Sequence, residues 1–256
     1  MKKLVSMLLT VAMAATLLIG CGNDDNTLIV GFDAEFPPYG YQDDNGEYVG
    51  FDLDLAAEVC ERNGWELVKQ PINWDSKDME LDAETIDCIW NGFTMTGRED
   101  QYTWTCAYID NSKVFVVKAD SGIASQADLA GKNVGVQADS SALAALEDSA
   151  ADLAETFASL TQYGDYNTGF MELESGVIDA LAMDIGVAQY QIESRGDGFV
   201  MLEEKLATEQ YAVGFKLGNT ELRDKLEKTL LEMAEDGTVL EIAKEWGLED
   251  QLCIGK

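Results

Sequence analysis

The amino-acid sequence predicts an α/β protein of two lobes, each built on its own sheet, with a cleft between them. Three observations predict it. Strand and helix signals alternate from Thr27 to the C-terminus, the pattern of mostly parallel sheets covered by helices. That alternation restarts at Lys113, as a second unit would. The helices after Phe215 exceed what the second unit needs, so they are expected to return and pack on the first. Lobe 1 is therefore read as 27–112 and 208–256, and lobe 2 as 113–207, joined by two crossing segments. A chain of 256 residues is long enough to bury both cores.

The elements follow in order. Thr27 to Phe32 reads as a buried strand. Gly40 to Gly50 reads as a hairpin turned at Asp44-Asn45-Gly46. Asp52 is placed to cap a helix that ends at Gly64, whose Leu53, Ala56, Ala57 and Cys60 share one face. A strand from Trp65 to Gln70, a short helix after Trp74 and a strand from Ile86 to Trp90 complete the first unit. In the second, Val114 to Val117 is extended and Asn133 to Gln137 is a strand leading to a helix from Ser140. A helix from Asn167 to Ser175 closes on Gly176, and Ile178 to Met183 is a strand. Asp184 caps the next helix, with Ile185, Ala188 and Ile192 on one side. Tyr211 to Phe215 is extended. Asn219 caps the longest helix, striped by Leu222, Leu226, Leu230 and Met233, and Gly237 ends it before a last helix to about Trp246.

Composition excludes several functions. Asp and Glu number 48 against 17 Lys and Arg, a formal charge of −31. A surface this acidic repels phosphate backbones, which argues against nucleic acid as a partner. There is no histidine, which removes Ser–His and Cys–His catalysis and most zinc sites. No metal or cofactor is expected.

The N-terminus reads as an address. Lys2 and Lys3 precede an apolar run from Leu4 to Ile19, interrupted by Ser6, Thr10 and Thr16. The run is shorter than the ~20 residues of a membrane span and fits the core of a secretory signal. It ends in Leu18-Ile19-Gly20-Cys21, which resembles a bacterial lipobox. That resemblance implies a signal peptide over 1–20, a lipidated Cys21, a tether over 21–26 and an extracytoplasmic protein anchored to the membrane. The alternative is an ordinary signal peptide with an incidental Cys21. Cys60, Cys88, Cys106 and Cys253 then lie where disulfides are permitted, and three pairings or free thiols all stay open.

The residues that follow the strands are chemically distinctive. After the first come Asp33-Ala34-Glu35-Phe36, around the short helix Trp74 and Asp75, and after Trp90 the run Asn91-Gly92-Phe93-Thr94-Met95-Thr96-Gly97-Arg98. The second unit adds Ala138-Asp139-Ser140-Ser141 and Asp184. In open parallel sheets ligands bind beyond the carboxyl ends of the strands, so these loops are expected to face the cleft. The set suits an α-amino acid zwitterion. Arg98 can grip a carboxylate with two parallel hydrogen bonds, the helix start at Ser140 adds a second anion contact, and Asp184 can receive an ammonium. Phe36 and Trp74 can sandwich a side chain.

With those residues in hand the chain resembles the bacterial extracellular solute-binding proteins of family 3, the polar amino-acid receptors of ABC importers. The resemblance rests on Val30-Gly31-Phe32-Asp33-Ala34-Glu35-Phe36-Pro37-Pro38, Val49-Gly50-Phe51-Asp52-Leu53-Asp54-Leu55-Ala56 and Asn91-Gly92-Phe93-Thr94-Met95-Thr96. Gly131-Lys132-Asn133-Val134-Gly135-Val136-Gln137, Val177-Ile178-Asp179-Ala180 and Asp236-Gly237-Thr238 extend it to most of the chain. It implies a two-lobed periplasmic-binding-protein fold of type II, with two hinge segments, a ligand cleft and a membrane permease as partner; the protein is expected to be a monomer. It also implies roles. Asp33 contacts the ligand side chain, Phe36 and Trp74 enclose it, and Asn91, Gly92 and Thr94 line the pocket. Arg98, Ser140 and Ser141 hold the carboxylate, and Asp184 holds the ammonium. The loop Thr96-Gly97-Arg98 is one residue shorter than the family's usual Thr-x-x-Arg.

Each of these residues has a plainer role to set against that one. Asp184 or Ser140 alone is a helix cap, and Phe36 or Trp74 alone is core. Only their joint position after strands points to a ligand. The expected function is capture of a cationic or amide L-amino acid for import. The competing classes are a ligand-sensing domain and a dehydratase on the same scaffold. No spare cation is visible near the pocket, so an acidic ligand is least expected.

Overall fold

The structure is a computed structural model that describes residues 26–255. The leader 1–20 and Cys21 lie outside the described residues. Strand β1 (Thr27–Phe32) buries Leu28, Val30 and Phe32. It leads into a small antiparallel sheet of β2 (Glu35–Phe36), β3 (Gly40–Gln42) and β4 (Tyr48–Val49). The last hairpin turns where Asp44-Asn45-Gly46 predicts: Asp43 Oδ1 accepts from the amides of Asn45 and Glu47 at 2.9 and 2.8 Å. Helix α1 (Phe51–Asn63) ends on Gly64 as expected, but its N-cap is Gly50 rather than Asp52. Asp52 sits inside the first turn, fully buried, because its carboxylate bonds a distant loop amide instead of the helix end.

Strand β5 (Glu66–Pro71), a short 3-10 turn at Trp74–Ser76, α2 (Lys77–Asp82), β6 (Cys88–Ile89) and β7 (Thr103–Trp104) complete the first pass. Strand β8 (Ile109–Lys118) is ten residues long. Only its apolar stretch Val114–Val117 is legible in the sequence, since Asp110, Asn111, Ser112 and Lys113 hide the rest. Then come β9 (Asn133–Gln137), α3 (Ser141–Glu147), α4 (Ala151–Ala154), β10 (Ser159–Tyr163), α5 (Tyr166–Ser175), β11 (Ala180–Asp184) and α6 (Ile185–Arg195). Strands β12 (Phe199–Met201), β13 (Ala207–Tyr211) and β14 (Gly214–Phe215) precede α7 (Thr220–Asp236) and α8 (Thr238–Glu245). The stretch Tyr211–Phe215 read as one extended segment is thus split between two strands.

Two sheets result. The first has the order β5-β1-β6-β14-β7, with β5, β1 and β6 parallel and β14 reversed. The second has the order β10-β9-β11-β8-β12, with β13 also on β8, and only β8 runs against β11. The one reversed strand in each sheet lies beside a passage between sheets: β8 has just arrived from β7, and β14 from β13. Strands β8 and β13 pair antiparallel from Ile109↔Tyr211 to Lys113↔Ala207, so the two passages run side by side. Helices α7 and α8 pack against α1, as the surplus after Phe215 predicts. Buried Leu226, Leu230 and Met233 anchor α7, each contributing ~1.5–3 kcal/mol of apolar burial. Burial pushes the Cys60 thiol up to about 11 and raises that of Cys88 well above its ordinary value, so both behave as core apolar groups. Among the described residues no helix is long and apolar enough to cross a membrane.

Candidate functional site between the sheets

The carboxyl ends of β1, β6, β9 and β11 converge, and a cavity lies between them. It is lined by Phe36, Trp74, Gly92, Thr94, Arg98, Lys113, Gln137, Ser140, Ser141 and Asp184. Its volume is about 10 Å³, room for about one water molecule. An amino acid enters only if the sheets separate or side chains withdraw.

One end of the cavity is acidic. Asp184 occupies the N-cap position of α6 but its side chain makes no cap bond. Instead Oδ1 accepts from Asn111 Nδ2 at 2.8 Å and from Lys113 Nζ and the Tyr211 hydroxyl, while Oδ2 accepts from the Tyr166 hydroxyl at 3.1 Å. A carboxylate that faces a cation and two phenols has no reason to turn back to its own helix. Glu209 lies beside it, buried, with Oε1 accepting from Lys113 Nζ at 2.9 Å, Asn111 Nδ2 at 2.7 Å and Thr94 Oγ1 at 2.9 Å. The Thr94 and Ser141 hydroxyls are 3.0 Å apart and join the loop after β6 to the start of α3. Thr94 has one O–H and gives it to Glu209, so Ser141 donates in that contact.

The loop after β6 is held from below. Gly92 N donates to Asp52 Oδ2 at 2.6 Å. Burial pushes the Asp52 carboxyl up to about 7, against the opposing pull of the Gly92 amide and the Tyr108 hydroxyl. Gly92 has φ 56°, and a Cβ there would lie 2.7 Å from Phe36 Cε1, so glycine is required. The loop turns at Gly97, with Arg98 N donating to Met95 O at 2.9 Å. Half-buried Arg98 lies 5.6 Å over the Phe93 ring, with Nη2 3.5 Å from Asp139 O. Lys77, buried on α2, pairs with Asp139 and sits 5.3 Å over Trp74. Ser140 caps α3, accepting from Leu143 N at 3.2 Å and donating to Gln137 O at 2.8 Å.

Asp33 opens onto the other side of this wall. Its Oδ2 accepts from Gln137 Nε2 at 2.7 Å and its Oδ1 from Glu35 N at 2.9 Å. Burial pushes its carboxyl up to about 6 despite those bonds. An adjoining cavity of about 470 Å³ is lined by Asp33, Glu35, Asp75, Asp165 and Trp74 among others, and no Lys or Arg contributes. Burial and the charge of Asp165 push Glu35 up as well. Trp74 borders both cavities.

Of the predicted site residues, Phe36, Trp74, Gly92, Thr94, Arg98, Ser140, Ser141 and Asp184 meet in the one cavity. Asp33 faces the neighbouring one. Asn91 lines neither; its Oδ1 accepts from Asp33 N at 3.0 Å and fixes that loop. One cation lines the cavity that the sequence did not suggest, Lys113, but it is paired with Asp184 and Glu209 and is not spare; Lys77, over Trp74, is paired with Asp139. Lys113, Glu209, Gln137, Tyr166 and Tyr211 were missed. Lys113 and Glu209 lie on the crossing strands, whose pairing no local pattern reveals. The sole signal was a charge adjoining the apolar run from Val114.

Residues 28–249 match the model of the bacterial extracellular solute-binding proteins, family 3. The arginine-binding extracellular protein ArtP of Bacillus subtilis is 30% identical over 251 residues, covering 94% of this chain and 96% of that protein. The L-cystine-binding protein TcyJ of Escherichia coli K12 is 27% identical over 223 residues, covering 86% and 82%. Among solved structures, an ABC uptake transporter substrate-binding protein from Streptococcus pneumoniae with bound histidine superposes with a TM-score of 0.85 at 35% identity, covering 89% of this chain and 94% of that one.

Proposed function

The chain belongs to the bacterial extracellular solute-binding proteins of family 3, and from that premise we propose that it captures a cationic or amide L-amino acid in the cavity between its sheets and delivers it to an ABC permease. It is a two-lobed substrate-binding protein and not an enzyme. The single observation that supports the ligand class is the placing of Arg98, Asp184 and Asp33 around two adjoining cavities that share Trp74. Arg98, with Ser140 and Ser141, takes the ligand carboxylate. Asp184, with Thr94 and Gly92, takes the α-ammonium. Phe36 and Trp74 enclose the side chain, whose end reaches Asp33.

Charge favours a cation over a neutral ligand. Asp33, Glu35, Asp75 and Asp165 border the outer cavity with no basic residue among its lining. A desolvated carboxylate gains most from an opposite charge within reach. Residues 27–112 with 208–256 and residues 113–207 serve as the two lobes, which part to admit the ligand and close on it. Cys21 carries the lipid that holds the protein at the membrane, where it works as a monomer. The relatives' names, arginine- and cystine-binding proteins among them, agree with a polar substrate.

The test is a thermal-shift screen of the twenty amino acids with ornithine and cystine. Arginine, lysine or ornithine at 100 times its dissociation constant is expected to add about 2.7 kcal/mol of stability. Stabilisation by none of the set overturns the reading.

A further inference from the structure

The cavity holds an ammonium of its own. Lys113 is buried, lines the cavity and binds both Asp184 and Glu209. We propose that Lys113 is a specificity-determining residue: a tethered competitor that shares Asp184 with the ligand's α-ammonium and weakens the protein's demand for one. The inference rests on the reading that Asp184 receives that ammonium.

The charges decide the direction. Asp184 and Glu209 together carry two negative charges and Lys113 one positive, so the cluster retains one negative charge for a ligand. Asp184 Oδ1 is already met by Asn111, Lys113 and Tyr211, whereas Oδ2 is met by Tyr166. An incoming ammonium therefore approaches Oδ2 and Thr94 with Lys113 Nζ on the same carboxylate, and two like charges at that separation repel in a low-dielectric site. Lys113 is no surface ornament that swings away: it stands on β8 directly across from Asp184 on β11 and is bonded from β13 as well. An isosteric apolar residue there leaves two buried carboxylates with one charge more to neutralise. The ligand's ammonium then becomes worth more, not less. Replacing Glu209 by glutamine acts in the opposite sense, since Lys113 alone then neutralises Asp184.

The test is calorimetry with L-arginine and with 5-guanidinopentanoate, which lacks only the α-amine, on the intact protein. Wild type is expected to prefer L-arginine by less than tenfold. Lys113→Met is expected to bind L-arginine at least tenfold more tightly and 5-guanidinopentanoate no more tightly. Glu209→Gln is expected to weaken L-arginine at least threefold and leave 5-guanidinopentanoate unchanged, which keeps the inference testable if Lys113→Met does not fold. A purely structural ion pair would instead lower both ligands alike in both variants, and that result overturns the proposal. Asp184→Asn separates the underlying reading: unchanged L-arginine binding there removes the ammonium site and this inference together. Loss of binding in Asp184→Asn without the gain in Lys113→Met removes the inference alone. If lysine binds and arginine does not, lysine and 6-aminohexanoate, which lacks only its α-amine, replace the pair, and failure of wild type to bind any of the twenty amino acids, ornithine or cystine overturns both.

Discussion

Lys113 and Asp184 are direct cross-strand partners: β8 and β11 pair antiparallel with these two residues opposite each other, and the lysine ammonium binds the carboxylate. The pair connects the fold to the site. β8 is the strand on which the chain passes from the first sheet to the second, and β11 ends at the cleft. Moving one strand past the other would therefore change the charge that a ligand meets. Glu209, on the returning strand β13, ties the second passage to the same ammonium.

Arg98→Ala is expected to remove amino-acid binding while leaving the fold intact. Among the described residues the guanidinium makes one weak polar contact, 3.5 Å to Asp139 O, and stacks over Phe93, so little structure depends on it. Loss of a charge-assisted contact to a buried carboxylate costs roughly 2–5 kcal/mol. Calorimetry reads the affinity and a thermal melt reads the fold. A loss smaller than threefold would assign the carboxylate to another residue.

Gly92→Ala is expected to lower both stability and affinity. The left-handed backbone disfavours any Cβ by ~1–2 kcal/mol, and here the added carbon would meet Phe36 at 2.7 Å and Tyr211 at 3.1 Å. Because Phe36 lines the cavity, the displaced ring should disturb binding beyond the loss of stability. Gly97→Ala, with φ 80° and no atom within 4 Å of the added carbon, is the control: strain without collision. Equal affinities in the two variants would show that the collision is harmless.

The sheet-forming runs and most helix ends were legible because they depend on local chemistry. Val114–Val117 is apolar for a buried strand, Gly64 and Gly176 adopt the left-handed closing conformation, and Asp43 to Glu47 builds its own turn. The misreadings are non-local. Asp52 reads as a cap but lies inside the first turn, and Asp184 holds the N-cap position the sequence predicts but makes no cap bond with its side chain. Each turns inward because a partner distant in sequence, Gly92 N at one and Lys113 with Asn111 at the other, offers a stronger contact. Lys113 and Glu209 could not be placed in the site from sequence, for their proximity depends on the register of β8 and β13.

Stability is expected to rise as the pH falls from about 8 to 5. Burial raises the carboxyls of Asp33 to about 6 and Asp52 to about 7. For an acid so shifted the folded state binds the proton more tightly than the unfolded chain does. The cost of burying the charge is therefore fully present above the raised value and relieved below it. Relief of self-repulsion in so acidic a chain acts in the same direction. Asp236, held down to about 2 by Thr238 and Arg62, loses its contribution only in stronger acid. Asp52→Asn keeps an acceptor for Gly92 N and removes one titration, so its melting temperature should change less between pH 8 and 5. An identical pH profile in that variant would show that Asp52 does not titrate in this range.

Asp33 should select the ligand side chain. It is buried, its two oxygens already accept from Gln137 and Glu35 N, and its proton affinity is raised because those bonds do not offset desolvation. A cationic side chain holds the carboxylate ionised, so it must lower that pKa. Binding lysine or arginine near pH 6 should then release a proton, and affinity should fall as the pH drops below 6. Calorimetry in two buffers of different ionisation enthalpy measures the release. A neutral amide can donate to the carboxylate and accept from the carboxylic acid, so glutamine should release less. Asp33→Asn separates the cases further. It should weaken arginine or lysine at least tenfold, about 1.4 kcal/mol, and leave glutamine little changed, since an asparagine still accepts a hydrogen bond. Equal losses for arginine and glutamine would mean that Asp33 positions the loop rather than reads charge. Tight binding of leucine or valine to wild type would sink the idea, because an aliphatic end would leave Asp33 and its acidic surroundings without a partner.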